Sequence, residues 1–300
     1  MRFNKLFVVL PLVFVVFISG CSIPGLGPGS ASGVSDIISI ESVIAEPSPV
    51  KSTQTLLLKA EIKNNGKDPK DNILVKLTNP CTGGSPGWFK DDVKVNCGKG
   101  NIDGLECSNL NFIGGVSKTI TWTLQAAETK TRLPDCEFAV SVIYSHKSES
   151  TVPISFIPST ETAKSVPTAG SDVLGPIKAY AEIDDDQPIK GNSRDGAPQY
   201  VTVMVNIDNK GSGFPKSNIP ITQLTFEPGT LTPKADECEV KSKTEDIEFE
   251  DGKTNPLQCR LLIPSDSEIN SNPNLRTVAL KTTLSYEYEV RDTTKIRVEP

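Results

Sequence analysis

"LLLKAEIKNNGKDPKDNILVKL" (56–77) and "VTVMVNIDNKGSGFPKSNIPITQL" (201–224) are the two stretches on which the fold turns. Each opens with a run in which every second residue is apolar: Leu58, Ala60 and Ile62 in the first, Val201, Val203, Val205 and Ile207 in the second. Period-two alternation sends one side of an extended segment into a core and leaves the other in water, the mark of a half-buried antiparallel strand. Each run then meets an Asn-Asn-Gly or Asp-Asn-Lys-Gly turn, crosses a short polar loop and enters a second strand-like segment.

The texture continues outward. "KTITWTL" (118–124) alternates Ile120, Trp122 and Leu124 with threonines. About seven such runs lie in each half, separated by Gly, Pro, Asn and Asp, and no comparable stretch has a period of about 3.6. Several short antiparallel strands at this spacing suggest an all-β chain of sandwiches or barrels. Near the ends, "FAVSVIYSHKSESTVPISFI" (138–157) parallels "LKTTLSYEYEVRDTTKIRV" (280–298), aligning Tyr144 with Tyr286. Each of these is expected to close as a hairpin. A duplicated unit of about 120 residues accounts for the pairing of motifs. It places one sandwich over 36–157 and the second over 173–300. The Ser/Thr/Pro/Ala-rich stretch "PSTETAKSVPTAGSD" (158–172) reads as the linker between them.

The first residues carry a different signal. Arg2 and Lys5 precede an apolar run from Leu6 to Ile18, then Ser19, Gly20 and Cys21. A basic start, a short hydrophobic run and small residues form a secretory signal layout, too short for a permanent span of the hydrocarbon core. Ile18-Ser19-Gly20-Cys21 resembles the lipobox of prokaryotic lipoprotein signal peptides. The resemblance implies removal of residues 1–20 and a diacylglyceryl group on the Cys21 thiol. Two acyl chains anchor stably where one would not. Residues 22–35, "SIPGLGPGSASGVS", would then be a flexible tether, with the chain outside the cytoplasm and held to the cell membrane.

Charge narrows the partners. The whole chain carries a formal −6; residues 1–20 hold two bases and no acid, leaving 29 basic and 37 acidic residues. An acidic exterior argues against nucleic acid and against a polybasic grip on anionic lipid. The expected partners are the membrane, through the lipid, and a surface or envelope protein.

Six further cysteines remain. An even number in an exported chain reads as disulfides. The second half holds only Cys238 and Cys259, which must pair if each half is self-contained. Cys97 and Cys107 occupy the matching interval of the first half, which assigns them to each other by analogy and leaves Cys81 with Cys136. Four cysteines on their own allow three connectivities. With no CxxC pair and His146 the single histidine, zinc has no ligand set.

The strand ending in Asn-Asn-Gly or Asp-Asn-Lys-Gly, followed by a strand such as "NILVKL", resembles the opening of cell-adhesion-related (CARDB-type) domains of prokaryotic surface proteins. That resemblance implies that the all-β chain forms two tandem immunoglobulin-like antiparallel β-sandwiches, which act as spacers and binding faces, with no shared catalytic residues.

Candidate sites are few. His146 lies in "IYSHKSE", where a solvent-facing turn is expected, and no G-x-S-x-G elbow accompanies it. Asp184, Asp185, Asp186 and Asp195 offer hard oxygen ligands for calcium but lack the spacing of a known loop. Trp88 and Phe89, in "GGSPGWFKDD" (83–92), could grip a sugar ring or a partner's pocket, or plug the end of a sandwich. "KTEDIEFEDGK" (243–253) reads as an edge hairpin inside the second-half disulfide. No cofactor is expected. The favoured function is a non-catalytic, lipid-anchored structural or adhesion-type surface protein. The alternative is a lipoprotein that captures a sugar, ion or peptide for a membrane machine.

Overall fold

The computed structural model describes residues 36–300, apart from 83–86, 163–169, 172 and 194–196. The signal segment, Cys21 and its tether, most of the linker stretch and Asp195 therefore lie outside the described residues. The first half contributes β1 (Ile38–Glu46), β2 (Val50–Lys51), β3 (Thr55–Asn64), β4 (Lys70–Asn79), β5 (Lys94–Asn96), β6 (Asn101–Asp103), β7 (Glu106–Phe112), β8 (Ser117–Gln125) and β9 (Cys136–Ile157). The second contributes β10 (Ile177–Ile183), β11 (Ile189–Lys190), β12 (Tyr200–Asn209), β13 (Phe214–Pro215), β14 (Ile219–Pro220), β15 (Leu224–Glu227), β16 (Pro233–Cys238) and β17 (Asp246–Ile247). It continues with β18 (Leu257–Leu262), β19 (Thr277–Ile296) and β20 (Val298–Glu299), and holds two short helices, α1 (Glu239–Ser242) and α2 (Asp266–Ser271).

The alternating runs become the front layer of an all-β sandwich. One four-stranded front sheet has the order β1-β3-β8-β5, the other β10-β12-β18-β16. Antiparallel register stacks the apolar faces: Leu58 opposes Trp122 and Ala60 opposes Ile120, while Val203 opposes Cys259 and Val201 opposes Leu261. All of these side chains are buried. Behind both front sheets runs one eight-stranded sheet, β13-β19-β9-β4-β7-β6, with β15 also paired to β19 and β11 to β9.

The hairpins expected at 138–157 and 280–298 do not form; each segment is one uninterrupted strand. β9 and β19 pair with each other, antiparallel, from Cys136↔Ile296 to Ser155↔Thr277. The physical reason is the absence of turn chemistry: no Gly, Pro, Asn or Asp occurs between 138 and 152, or between 278 and 291. Pro153 and Asp292 lie nearer the strand ends and stay paired with Ala279 and Val140, so the ladder runs the length of the ribbon.

This ribbon carries each strand out of its own half. The end of β9 lies under the second front sheet, where Phe156 pairs with Ile189 and the Gly191 amide donates to the Ile157 carbonyl at 2.7 Å. The end of β19 leads back to the first half, where β20 pairs with β2 (Val298↔Val50) and the Leu133 amide donates to the Val298 carbonyl at 3.1 Å. β1 packs on β19, and β10 packs on β9. Phe156, Ile296 and Val298 are fully or almost fully buried. Each half thus completes the other's core, and residues 33–300 form one compact unit.

Three disulfides, all with buried cysteines, crosslink the sandwich. Cys81 is bridged to Cys136, Cys97 to Cys107, and Cys238 to Cys259 directly across β16 and β18. Within the acidic stretch 243–253 a tight hairpin forms at its end, where Glu250 and Lys253 exchange backbone hydrogen bonds at 2.7 and 3.0 Å, while its Asp246–Ile247 segment pairs with β14 and Ile247 is buried.

Candidate functional site: the central cleft

The two Asn-x-Gly turns fold alike, and the likeness extends to single hydrogen bonds. The Asn64 carboxamide accepts from the Gly66 amide at 2.9 Å and donates to the Asp68 carbonyl at 2.8 Å. Asn209 accepts from Gly211 at 3.2 Å and donates to Gly213 at 2.9 Å. A short amide side chain that bonds the backbone two residues on stabilises such a turn locally. Each turn is also tied to the residue that leads into the neighbouring strand, β1 or β10: the Asn65 amide donates to the Ile37 carbonyl at 2.8 Å and the Lys210 amide to the Pro176 carbonyl at 2.7 Å. Buried Asn64 additionally donates to the Phe112 carbonyl at 2.9 Å.

Tyr144 and Tyr286 are the second matched pair. The Tyr286 hydroxyl accepts from the Ile177 amide at 3.0 Å and donates to the Ile177 carbonyl at 3.1 Å, pinning the start of β10. The Tyr144 hydroxyl reaches the corresponding place, near the Ile38 amide at the start of β1, but is buried there without a hydrogen-bond partner among the described residues, so the match is one of position only. Burial raises the pKa of Tyr144, Tyr286 and Tyr288, so all three stay neutral donors and acceptors. Their rings form an edge-on cluster, Tyr144 to Tyr288 at 5.9 Å and Tyr286 to Tyr288 at 6.2 Å between centroids. Asp36 joins the halves above it, accepting from the Ser212 amide at 3.0 and 3.2 Å through its two carboxylate oxygens.

In the ribbon register Tyr144 faces Tyr288 and His146 faces Tyr286, so His146 holds in β9 the place that Tyr288 holds in β19. Here the likeness of the two halves breaks. The Tyr288 hydroxyl donates to Asn209 Oδ1 at 3.0 Å and accepts from the Gly213 amide at 2.9 Å. His146 instead places Nδ1 at 3.2 Å from the Lys70 ammonium and Nε2 at 3.2 Å from the Leu174 carbonyl. A carbonyl can only accept, so Nε2 carries the proton and Nδ1 accepts from Lys70. Burial lowers the His146 pKa; the Leu174 hydrogen bond opposes this and the Lys70 charge adds to it. Burial likewise lowers the pKa of Lys70, with the charge of Asp68 acting against it. The imidazole stacks edge-on against Tyr286 at 5.7 Å.

Gly175 is what lets the chain pass so close. Its φ of +114° lies outside the range of L side chains, and a Cβ there would stand 2.3 Å from His146 Nε2. Beside this group opens a cleft of about 560 Å3, lined by Lys70, His146 and Tyr286, by hydroxyl and amide side chains, and by the β13–β14 segment.

His146 is therefore not a solvent-facing turn residue. It is half-buried in mid-strand, and its nitrogens meet an ammonium and a carbonyl rather than a serine or thiol nucleophile. Phe89 is buried at 2% exposure with its ring 5.3 Å from that of Phe138, so it is committed to the core. Trp88 is half-buried and donates to the Pro134 carbonyl at 2.8 Å. Asp184, Asp185 and Asp186 are exposed, and among the described residues no group of three His, Cys, Asp or Glu is placed to hold a metal ion. The sequence reading missed Lys70. Its one signal was position: it stands at the far end of the loop that the Asn-x-Gly turn opens.

No family model matches the chain, and no curated protein does. Among solved structures, a protein of unknown function from Porphyromonas gingivalis W83 is similar at 9% identity, covering 88% of this chain and 100% of that one, with a TM-score of 0.22. The C-terminal domain of the AgI/II polypeptide BspA of Streptococcus agalactiae is similar at 10% identity, covering 86% and 98%, with a TM-score of 0.17. At these TM-scores neither likeness bears on function.

Proposed function

We propose that this chain is a non-catalytic surface protein, held outside the cytoplasm by a lipid on Cys21, whose sandwich serves structural or adhesive contacts. The observation that carries the reading is the bridging of all six cysteines after Cys21. A protein crosslinked throughout belongs to an oxidising compartment, and the single cysteine left over is the one in the lipobox-like segment. The shared ribbon supports a load-bearing role, because neither half can tilt against the other without breaking the β9–β19 ladder. A second reading, capture of a small ligand at the surface, has the central cleft in its favour.

Mass spectrometry of the native, unreduced protein tests the first reading. The expected result is a chain beginning at Cys21 with a diacylglyceryl mass, six thiols protected from alkylation, and recovery in the membrane fraction. Cys21→Ser then abolishes both the lipid and the membrane recovery. A cytosolic protein that retains residues 1–20 and has alkylatable thiols overturns it.

A further inference from the structure

Lys70 is the one cation lining the central cleft with no carboxylate in ion-pair contact; only the more distant charge of Asp68 offsets it. It is half-buried, its close partner is the neutral Nδ1 of His146, and among the described residues no carboxylate lies within 4.0 Å of it. Lys216 is paired with Glu287 at 3.2 Å, and Lys147, also in the lining, lies 3.7 Å from Glu149, which it shares with Lys281 at 3.0 Å. Glu287 is itself in the lining, already matched by Lys216. A chain of net charge −6 thus presents one locally positive recess. Withdrawing an ammonium from water without an anion is costly, and such a place favours a ligand that supplies one.

The remaining walls say what should surround that anion. Ser145, Ser217, Asn218 and Ser285 offer hydroxyl and amide groups, while Pro220 and the Tyr286 ring give an apolar floor. Hydroxyl-matched walls on an apolar floor, in a recess of about 560 Å3, suit one sugar ring. We propose that the central cleft binds an acidic sugar of the uronate type, its carboxylate on Lys70 and its hydroxyls on the serine and asparagine side chains. The site rests on the cleft alone and stands whether or not Cys21 carries a lipid. Burial lowers the pKa of both Lys70 and His146, so an added carboxylate would raise both.

As the only histidine, His146 makes a self-reporting probe. Proton NMR of its ring in the full chain, titrated with D-glucuronate, D-glucose or acetate, tests the site. Glucuronate is expected to shift the ring signals saturably and to move the His146 titration to higher pH. Glucose has no charge for Lys70 and acetate has no hydroxyls for the walls. Each should bind at least about tenfold more weakly, the scale set by a single charge-assisted hydrogen bond. Lys70→Met should weaken glucuronate by a similar factor. Ring signals indifferent to glucuronate overturn the proposal, as does acetate binding as tightly as glucuronate, or a folded Lys70→Met chain that binds unchanged. The titrations of the unmodified chain decide the matter even if that variant fails to fold.

Discussion

Replacing Phe156 by alanine should destabilise the first half as much as the second, although Phe156 lies beneath the second. The ring has no exposed surface, pairs across to Ile189 and sits at the end of the strand that leaves its own half. Emptying such a site costs about 3–5 kcal/mol, from the transfer free energy of the ring plus the cavity it leaves. For one unit spanning residues 33–300, at about 2 °C per kcal/mol, the melting temperature should fall by roughly 6–10 °C. The assay exploits tryptophan placement. Both tryptophans, Trp88 and Trp122, belong to the first half, and Trp122 is wholly buried there. If the shared ribbon makes unfolding one event, tryptophan fluorescence and calorimetry give the same midpoint before and after the substitution, and both move together. Two calorimetric transitions, with the fluorescence midpoint unmoved by Phe156→Ala, would refute the coupling and leave the halves as independent domains.

Gly175→Ala forces a side chain into a left-handed backbone position and against His146, so a loss of about 1–3 kcal/mol is expected; thermal melts measure it, and an unshifted His146 ring signal would refute the contact. Cys238→Ala with Cys259→Ala opens a crosslink of sequence separation 21 and should cost about 3 kcal/mol, read as a lower urea midpoint. Acid should weaken the fold first through His146, ahead of the carboxylates of lowered pKa. With its folded pKa held below the ordinary 6.5, His146 favours folding fully above about pH 6.5, and that contribution is lost as the pH falls toward the folded value, because the unfolded chain takes up the proton first. The carboxylates of lowered pKa act only below their ordinary 4.5 or 3.8. Melting temperatures recorded from pH 7 to 5 should therefore decline, and His146→Gln should flatten the decline; an equal slope in both proteins contradicts the assignment.

Strand identity was legible because it is a local property. Leu58, Ala60 and Ile62 alternate in sequence and are buried in the structure, and so are Val201, Val203 and Val205. The matched turns were legible too, since an asparagine that bonds its own backbone needs only its neighbours. The ribbon was not. "YSHKSES" (144–150) is polar enough to pass for a turn, yet Ser148 and Ser150 are buried and paired across to Leu284 and Thr282. β10, whose Ala179 and Ala181 are buried, packs on β9. The missing Gly, Pro, Asn and Asp was the clue that outweighed polarity. Lys70 could not be found from sequence, since a lone lysine in a charged loop gains meaning only when β9 brings His146 beside it.

The ribbon has the symmetry of a homodimer whose protomers traded their last strands. Its central pair is Ser145 with Glu287, about which Tyr144 and Tyr286 exchange places. Joined in one polypeptide, the two halves meet at an effective concentration in the millimolar range, fixed by the connection and not by how much protein is made. An association that would dissolve on dilution becomes permanent, and two halves that need not be identical can differ where they meet, as His146 and Tyr288 do.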